Sequence, residues 1–119
     1  SLAWETDLES AMQLASRTAR PVLIHFYSDN CTPCRILETR VFKDPKWIAA
    51  VNEDWIAVKV KAEDHPELVE YFGVLRWPTD VYVTPGGQEL DRGVSPQSSE
   101  IYQNLLRQLA KRYKATLPA

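Results

Sequence analysis

Cysteine is scarce in this 119-residue chain: there are two, too few for a disulfide scaffold. Two histidines accompany them, so a four-ligand zinc site has no second Cys/His pair to complete it. Basic charge is not in excess either. Fourteen Lys and Arg face sixteen Asp and Glu, a net charge of -2, and no basic stripe is concentrated anywhere, which argues against nucleic acid as a partner. No apolar run approaches the roughly 20 residues that span a bilayer, and no signal-like apolar stretch occurs, so no direct membrane insertion is expected of this sequence. Repeats, low-complexity segments and interdomain linkers are missing. Residues 1–119 therefore read as a single domain, large enough for a real core. The chain also lacks a starting Met. Its beginning at Ser1 points to a processed product, an excised domain or, for Ser1-Leu2, a cloning remnant, and any export signal or anchor would have gone with the missing part.

What is present is otherwise ordinary for a soluble globular protein, with 45% hydrophobic and 25% charged residues. The exception is Cys31-Thr32-Pro33-Cys34, which holds both cysteines. Before it runs Val22-Leu23-Ile24-His25-Phe26-Tyr27, apolar and of strand type; after it Arg35-Ile36-Leu37-Glu38 suits a helix. Such a junction puts one sulfur at the positive end of a helix, where the thiolate is stabilised. Spacing alone leaves three readings open: a redox pair, a structural staple, and half of a metal or iron–sulfur site shared between two chains. A staple closing so small a loop contributes little in the chain-entropy model.

Pattern and capping signals give the order α-β-α-α-β-α-β-β-α. Thr6-Asp7-Leu8-Glu9 reads as a capping box with Thr6 as the cap, opening a helix to about Arg17. Strands are expected at 22–27 and 55–61, and helices from Cys31 to about Arg40 and from Asp44-Pro45 through Val51. Asp64-His65-Pro66-Glu67 starts a short helix that Gly73 closes. Strands at 79–84 and 89–94 flank the Pro85-Gly86-Gly87 turn, and Ser95-Pro96 caps a last helix carrying Ile101, Leu105, Leu106 and Leu109. Trp47, Trp55 and Tyr71 read as core or edge packing rather than ligand contacts. Glu5, Glu9, His65 and Lys111-Arg112 read as surface.

These features together resemble the thioredoxin superfamily over nearly the whole chain. The likeness is carried by the strand feeding Cys31-Thr32-Pro33-Cys34-Arg35, by Trp77-Pro78-Thr79, by the interval from Lys59 to Pro78 with Asp64, Pro66, Tyr71 and Gly73 inside it, and by the Gly86-Gly87 hairpin with its closing helix. Trp4 and Val41-Phe42-Lys43-Asp44-Pro45 narrow it to the subgroup containing the C-terminal domain of membrane thiol:disulfide interchange reductases. The resemblance implies an α/β fold: a three-layer α/β/α thioredoxin fold with a central mixed sheet and a cis-proline loop at Pro78. Many members of the subgroup are exported, which favours a periplasmic or exported setting over a cytoplasmic one.

The same resemblance implies a thiol–disulfide oxidoreductase. Cys31, the more exposed sulfur, attacks a substrate disulfide; its thiol is expected well below the free value of about 8.5, in a range of roughly 3.5–7.5. Cys34, one helical turn on and more buried, resolves the mixed disulfide. No metal or organic cofactor is called for. The partners are protein or peptide disulfides and an upstream dithiol donor, and a monomer is expected. Trp77, Pro78 and Arg76, with Thr32 and Pro33, would line the substrate groove, the backbone before Pro78 pairing with the substrate as an added strand.

Several residues depart from the family pattern. His25 stands where thioredoxins carry a buried Asp beneath the second cysteine; it reads either as the base that activates Cys34 or as a neutral core histidine with one satisfied hydrogen bond. Asp80, in an otherwise apolar strand, needs a partner and is expected near His25 or Lys59, as support for a proton relay, unless it faces solvent. Asn30 replaces a usual Trp and Trp77 a smaller apolar residue, so the aromatic wall of the groove changes sides. Thr32 replaces Gly, leaving the potential open, while Pro33 keeps the chain closer to the reductants. The leading reading is a reductant of protein disulfides. The alternatives are a disulfide oxidase or isomerase, and a redox-inactive module that binds peptides beside Pro78.

Overall fold

The segment Val22–Tyr27 is apolar on both faces apart from His25, as a strand covered by helices on two sides must be. In the computed structural model, which describes residues 2–118, it is β1, an interior strand of a four-stranded sheet ordered β2-β1-β3-β4. β2 is Ile56–Lys61, β3 Thr79–Val83 and β4 Glu89–Val94. β1 pairs parallel with β2 and antiparallel with β3, and β3 pairs antiparallel with β4, giving a mixed sheet. The parallel pair needs a crossover, supplied by α2 (Thr32–Arg40) and α3 (Pro45–Asp54). The antiparallel hairpin turns at Pro85-Gly86-Gly87, where Gly87 takes a left-handed φ of 89° that favours glycine. The remaining helices are α1 (Leu8–Thr18), α4 (Pro66–Phe72), which follows a 3-10 turn at Ala62–Asp64, and α5 (Ser99–Lys114).

Two apolar clusters cover the two faces of the sheet. On one, Leu23 and Tyr82 meet Leu37, Trp47, Val51, Leu106 and Leu109 of α2, α3 and α5. On the other, Val22, Ile24, Phe26 and Val81 meet Ala11 and Ala15 of α1 and the inner side of α4. Strand alternation puts His25 on the face of Leu23, and its ring lies edge-on to Phe42, 4.9 Å between centroids. The register lines up Lys59, His25, Asp80 and Gly93 in one row across all four strands.

Four local readings are corrected. The cap of α1 is Asp7, not Thr6: the Asp7 carboxylate takes the Ser10 N–H at 2.8 Å, and Thr6 donates only to Asp7. The cap of α5 is Ser98, whose hydroxyl accepts from the Ile101 amide; Ser95 is buried and belongs to another network. Ile101 is accordingly 63% exposed, while Leu106 and Leu109 are buried. The stretch from Asp64 is the end of a 3-10 turn, with the helix starting at Pro66 and no side-chain cap from His65. Tyr71 does not pack inside: it is 80% exposed and touches Phe72 edge-on. Ser1 lies outside the described residues, whereas Leu2 packs against the core.

Candidate redox site

The loop between β1 and α2 is held from below. Ser28 donates to Glu63 Oε2 at 2.8 Å, and the Asp29 amide donates to the same oxygen at 3.1 Å. Lys61 pairs with the Asp29 carboxylate, and Arg35 reaches back to the Asp29 carbonyl and to Thr32 Oγ1. The Ser28 hydrogen bond holds the Glu63 carboxyl below the usual carboxylate range. A lowered folded-state value means the pin is present above the unfolded value and is lost as pH falls through the folded one. Amide exchange at Asp29, corrected for its intrinsic pH dependence, is therefore expected to speed up on acidification below the carboxylate range. Unchanged protection there would remove Glu63 from this role.

Cys31 sits at the N-cap of α2 with extended backbone (φ -144°), and its sulfur accepts the Cys34 N–H at 3.2 Å. Pro33 occupies the first turn, where its missing N–H costs nothing. Cys31 and Cys34 form a disulfide with Cα atoms 5.3 Å apart. In the disulfide the two residues are buried alike, Cys31 5% and Cys34 4% exposed. What separates them is position on the helix. Thr32 and Pro33 between them are exposed, and Gln97 Nε2 donates to the Pro33 carbonyl at 3.3 Å.

The Trp77–Pro78 bond is cis and Pro78 is buried. Thr79 Oγ1 donates to the Arg76 carbonyl at 2.6 Å, closing the loop. Arg76 is exposed, Trp77 is 36% exposed and Leu75 88%. Trp77 and Leu75 border an apolar groove of about 490 Å³ whose far side is Ala62, Pro66 and Val69. Its polar lining includes Ser28 and Glu63, the two residues that pin the loop before Cys31.

Behind the disulfide helix, on the buried face, lies a polar network. His25 is 1% exposed and Asp80 0%. His25 Nδ1 is 2.7 Å from Asp80 Oδ1. Ser95 donates to the same oxygen at 2.9 Å, and Tyr82 and Tyr102 both donate to Oδ2, Tyr82 at 3.1 Å. Burial first, and the Asp80 charge second, push both tyrosine hydroxyls well above their ordinary value, so both stay donors throughout the working pH range. The solvent-facing reading of Asp80 is excluded, and its neighbour is His25, not Lys59. Lys59 turns to Glu38 on α2 and lies over the rings of Trp4, Tyr27 and Phe42, 4.9 Å from Trp4. No cluster of three or more His, Cys, Asp or Glu able to hold a metal occurs among the described residues.

The family described as Thioredox_DsbH ("Protein of unknown function, DUF255") matches residues 1–116. This chain belongs to that family, within the thioredoxin superfamily. A thioredoxin of Chlamydia caviae is 32% identical over 87 residues, 73% of this chain and 80% of the relative. The thiol:disulfide interchange protein DsbD 1 of Pseudomonas aeruginosa is 26% identical over 92 residues, 75% of this chain. The chain spans only 16% of that relative's length. The solution structure of a Thermus thermophilus thioredoxin superposes with a TM-score of 0.86 at 26% identity, over 97% of this chain and 92% of that one. The fold is thus a thioredoxin fold and the chain a thioredoxin-superfamily protein near the DsbD-like domains. Its curated relatives include thiol:disulfide interchange proteins, and Cys31 and Cys34 stand at Cys-x-x-Cys spacing.

Sequence reasoning missed four residues of this region. Ser95 was hidden by the Ser-Pro cap pattern. Tyr82 was within reach, because residues two apart share a strand face with Asp80. Tyr102 arrives from α5, and Glu63 from beyond β2, neither with a local signal.

Proposed function

We propose that this protein is a thiol–disulfide oxidoreductase that reduces protein disulfides with Cys31 and Cys34, in one domain covering the whole chain. The observation that carries the reading is the Cys31–Cys34 disulfide at the N-cap of α2, at the end of β1. Reduced, Cys31 would be a thiolate stabilised by the first-turn N–H groups and the helix dipole. It attacks one sulfur of the substrate disulfide; that S–S bond breaks, and the other substrate sulfur leaves with the electron pair and takes up a proton. The mixed disulfide is resolved by Cys34, which gives its proton to His25 and attacks the Cys31 sulfur. The remaining substrate thiolate is released and protonated. The substrate gains two electrons and the protein ends as the Cys31–Cys34 disulfide. An upstream dithiol of the kind that serves DsbD-like domains would reset it.

Asp80 supports His25 in this scheme as the Asp of a Ser-His-Asp triad supports its histidine. Lys59, drawn aside by Glu38, contributes a fixed positive charge one strand away rather than a relay partner. The substrate chain would pair with the backbone before Pro78 and meet Trp77, Arg76, Thr32 and Pro33. Likeness to DsbD favours an exported setting, and Pro33 favours the reducing direction.

Turnover of insulin with dithiothreitol as the donor tests the reading: the wild type is expected to accelerate B-chain precipitation, and a rate equal to dithiothreitol alone would refute it. In single-turnover kinetics, His25→Gln is expected to slow release of the mixed disulfide at pH 7 by about a hundredfold, the low end for a general base, and to leave its formation within about twofold. Equal slowing of both steps would contradict a base acting on Cys34.

A further inference from the structure

We infer that Ser95, with Asp80, fixes the tautomer of His25, keeping the proton on Nδ1 so that Nε2 is the nitrogen that exchanges a proton with Cys34. This rests on the reading of His25 given above and adds a positioning residue to it. Asp80 offers two oxygens, and each already takes two donors: Oδ1 from His25 and Ser95, Oδ2 from Tyr82 and Tyr102. A carboxylate has about four lone-pair sites, so this one is saturated and has no acceptor to offer a proton of its own. With the carboxylate ionised, a bare Nδ1 at 2.7 Å from Oδ1 would set two lone pairs against each other. The proton must sit between them.

Ser95 makes the choice firmer. Its Oγ lies 2.9 Å from Asp80 Oδ1 and 3.3 Å from His25 Nδ1, with all three residues at or below 1% exposure. A hydroxyl has one proton. Given to Asp80, it leaves the Ser95 oxygen lone pairs facing His25, a second acceptor for Nδ1–H. Two acceptors on one side of the buried imidazole, and none donating to it, disfavour the Nε2–H form. Ser95 reaches this place because it follows β4 directly: Val94 pairs with Thr79 and Gly93 with Asp80. The titratable groups packed around His25 and its carboxylate are Tyr27 of β1, Lys59 of β2, Tyr82 of β3 and Tyr102 of α5. α2 adds Glu38, which pairs with Lys59.

The test is ¹⁵N NMR of the imidazole in the reduced, full-length protein, combined with single-turnover kinetics across pH. In the wild type Nδ1 is expected at a protonated, pyrrole-like shift and Nε2 at a pyridine-like shift once the ring is neutral. Ser95→Ala is expected to move both shifts toward a tautomer mixture and to slow resolution about tenfold, the worth of one hydrogen bond to a charged group, with Cys31 attack unchanged. Ser95→Thr, which keeps the hydroxyl, restores both. A wild-type Nε2–H signature overturns the inference, as does a Ser95→Ala protein with wild-type shifts or with both kinetic steps slowed alike. Failure of the redox reading shows separately, as resolution that is indifferent to His25→Gln while the shifts still report the Nδ1–H form.

Discussion

Cys31→Ser protein is expected to lose insulin reduction by at least about a thousandfold, because the step it removes is the only attack by a stabilised thiolate. Cys34→Ser is expected to fail differently. Its Cys31 still caps α2 and still attacks, but nothing resolves the product, so the protein accumulates as a mixed disulfide with its substrate, visible as an adduct in non-reducing mass spectrometry. The asymmetry cannot come from exposure, since the two residues are 5% and 4% exposed in the disulfide. It comes from the helix: Cys31 is the N-cap and faces free N–H groups, whereas Cys34 lies inside the first turn on the buried side. Equal adduct formation by the two variants would contradict the assignment of roles.

Asp80→Ala is expected to produce the largest loss of stability from a single polar substitution, roughly 3–5 kcal/mol, the low end for several buried donors left unsatisfied at about 1–3 kcal/mol each. Four donors lose their acceptor at once: His25 Nδ1–H and the hydroxyls of Ser95, Tyr82 and Tyr102, all on residues no more than 1% exposed. None can turn to water. At about 4 °C per kcal/mol for a chain of this size, thermal unfolding should fall by roughly 12–20 °C. Lys114→Ala provides the contrast. It breaks an ion pair with Asp54, but the Lys114 side chain is 59% exposed and such surface pairs are worth about 0–1 kcal/mol. If Asp80→Ala cost no more than Lys114→Ala, the buried network would be an accident of packing.

Much of the fold can be read from residues whose signals are local. The unbroken apolar run at 22–27, Asp44-Pro45 at a helix start and Gly73 at a left-handed helix end (φ 63°) stand where the pattern places them. Where two local signals compete, reading fails. Thr6 and Asp7 both can cap, and it is the Asp7 carboxylate that takes the Ser10 amide. Ser95-Pro96 and Ser98 both can cap, and tertiary structure decides, because Ser95 is needed against Asp80. Tyr71 could pack in the core or at an edge by composition, and it lies on the outer side of a seven-residue helix with no buried position.

The candidate site divides the same way. Cys31, Cys34 and Pro78 announce themselves through spacing and resemblance. Asp80 stands out as an acid in an apolar strand, and His25 as its cross-strand neighbour in the register. The rest of the network, Tyr82, Ser95 and Tyr102, converges from three separate places, and nothing in one-dimensional order brings Ser95 and Tyr102 to the same carboxylate.

Equilibration of the purified protein with graded glutathione and dithiothreitol buffers, followed by acid quench and mass-spectrometric counting of free thiols, tests the central claim most directly. The account predicts one reversible two-electron transition between the Cys31–Cys34 disulfide and the dithiol, with a potential on the reducing side of glutathione. A pair that stays bonded across the whole series, or stays reduced across it without forming a mixed disulfide, would contradict a redox role for this site.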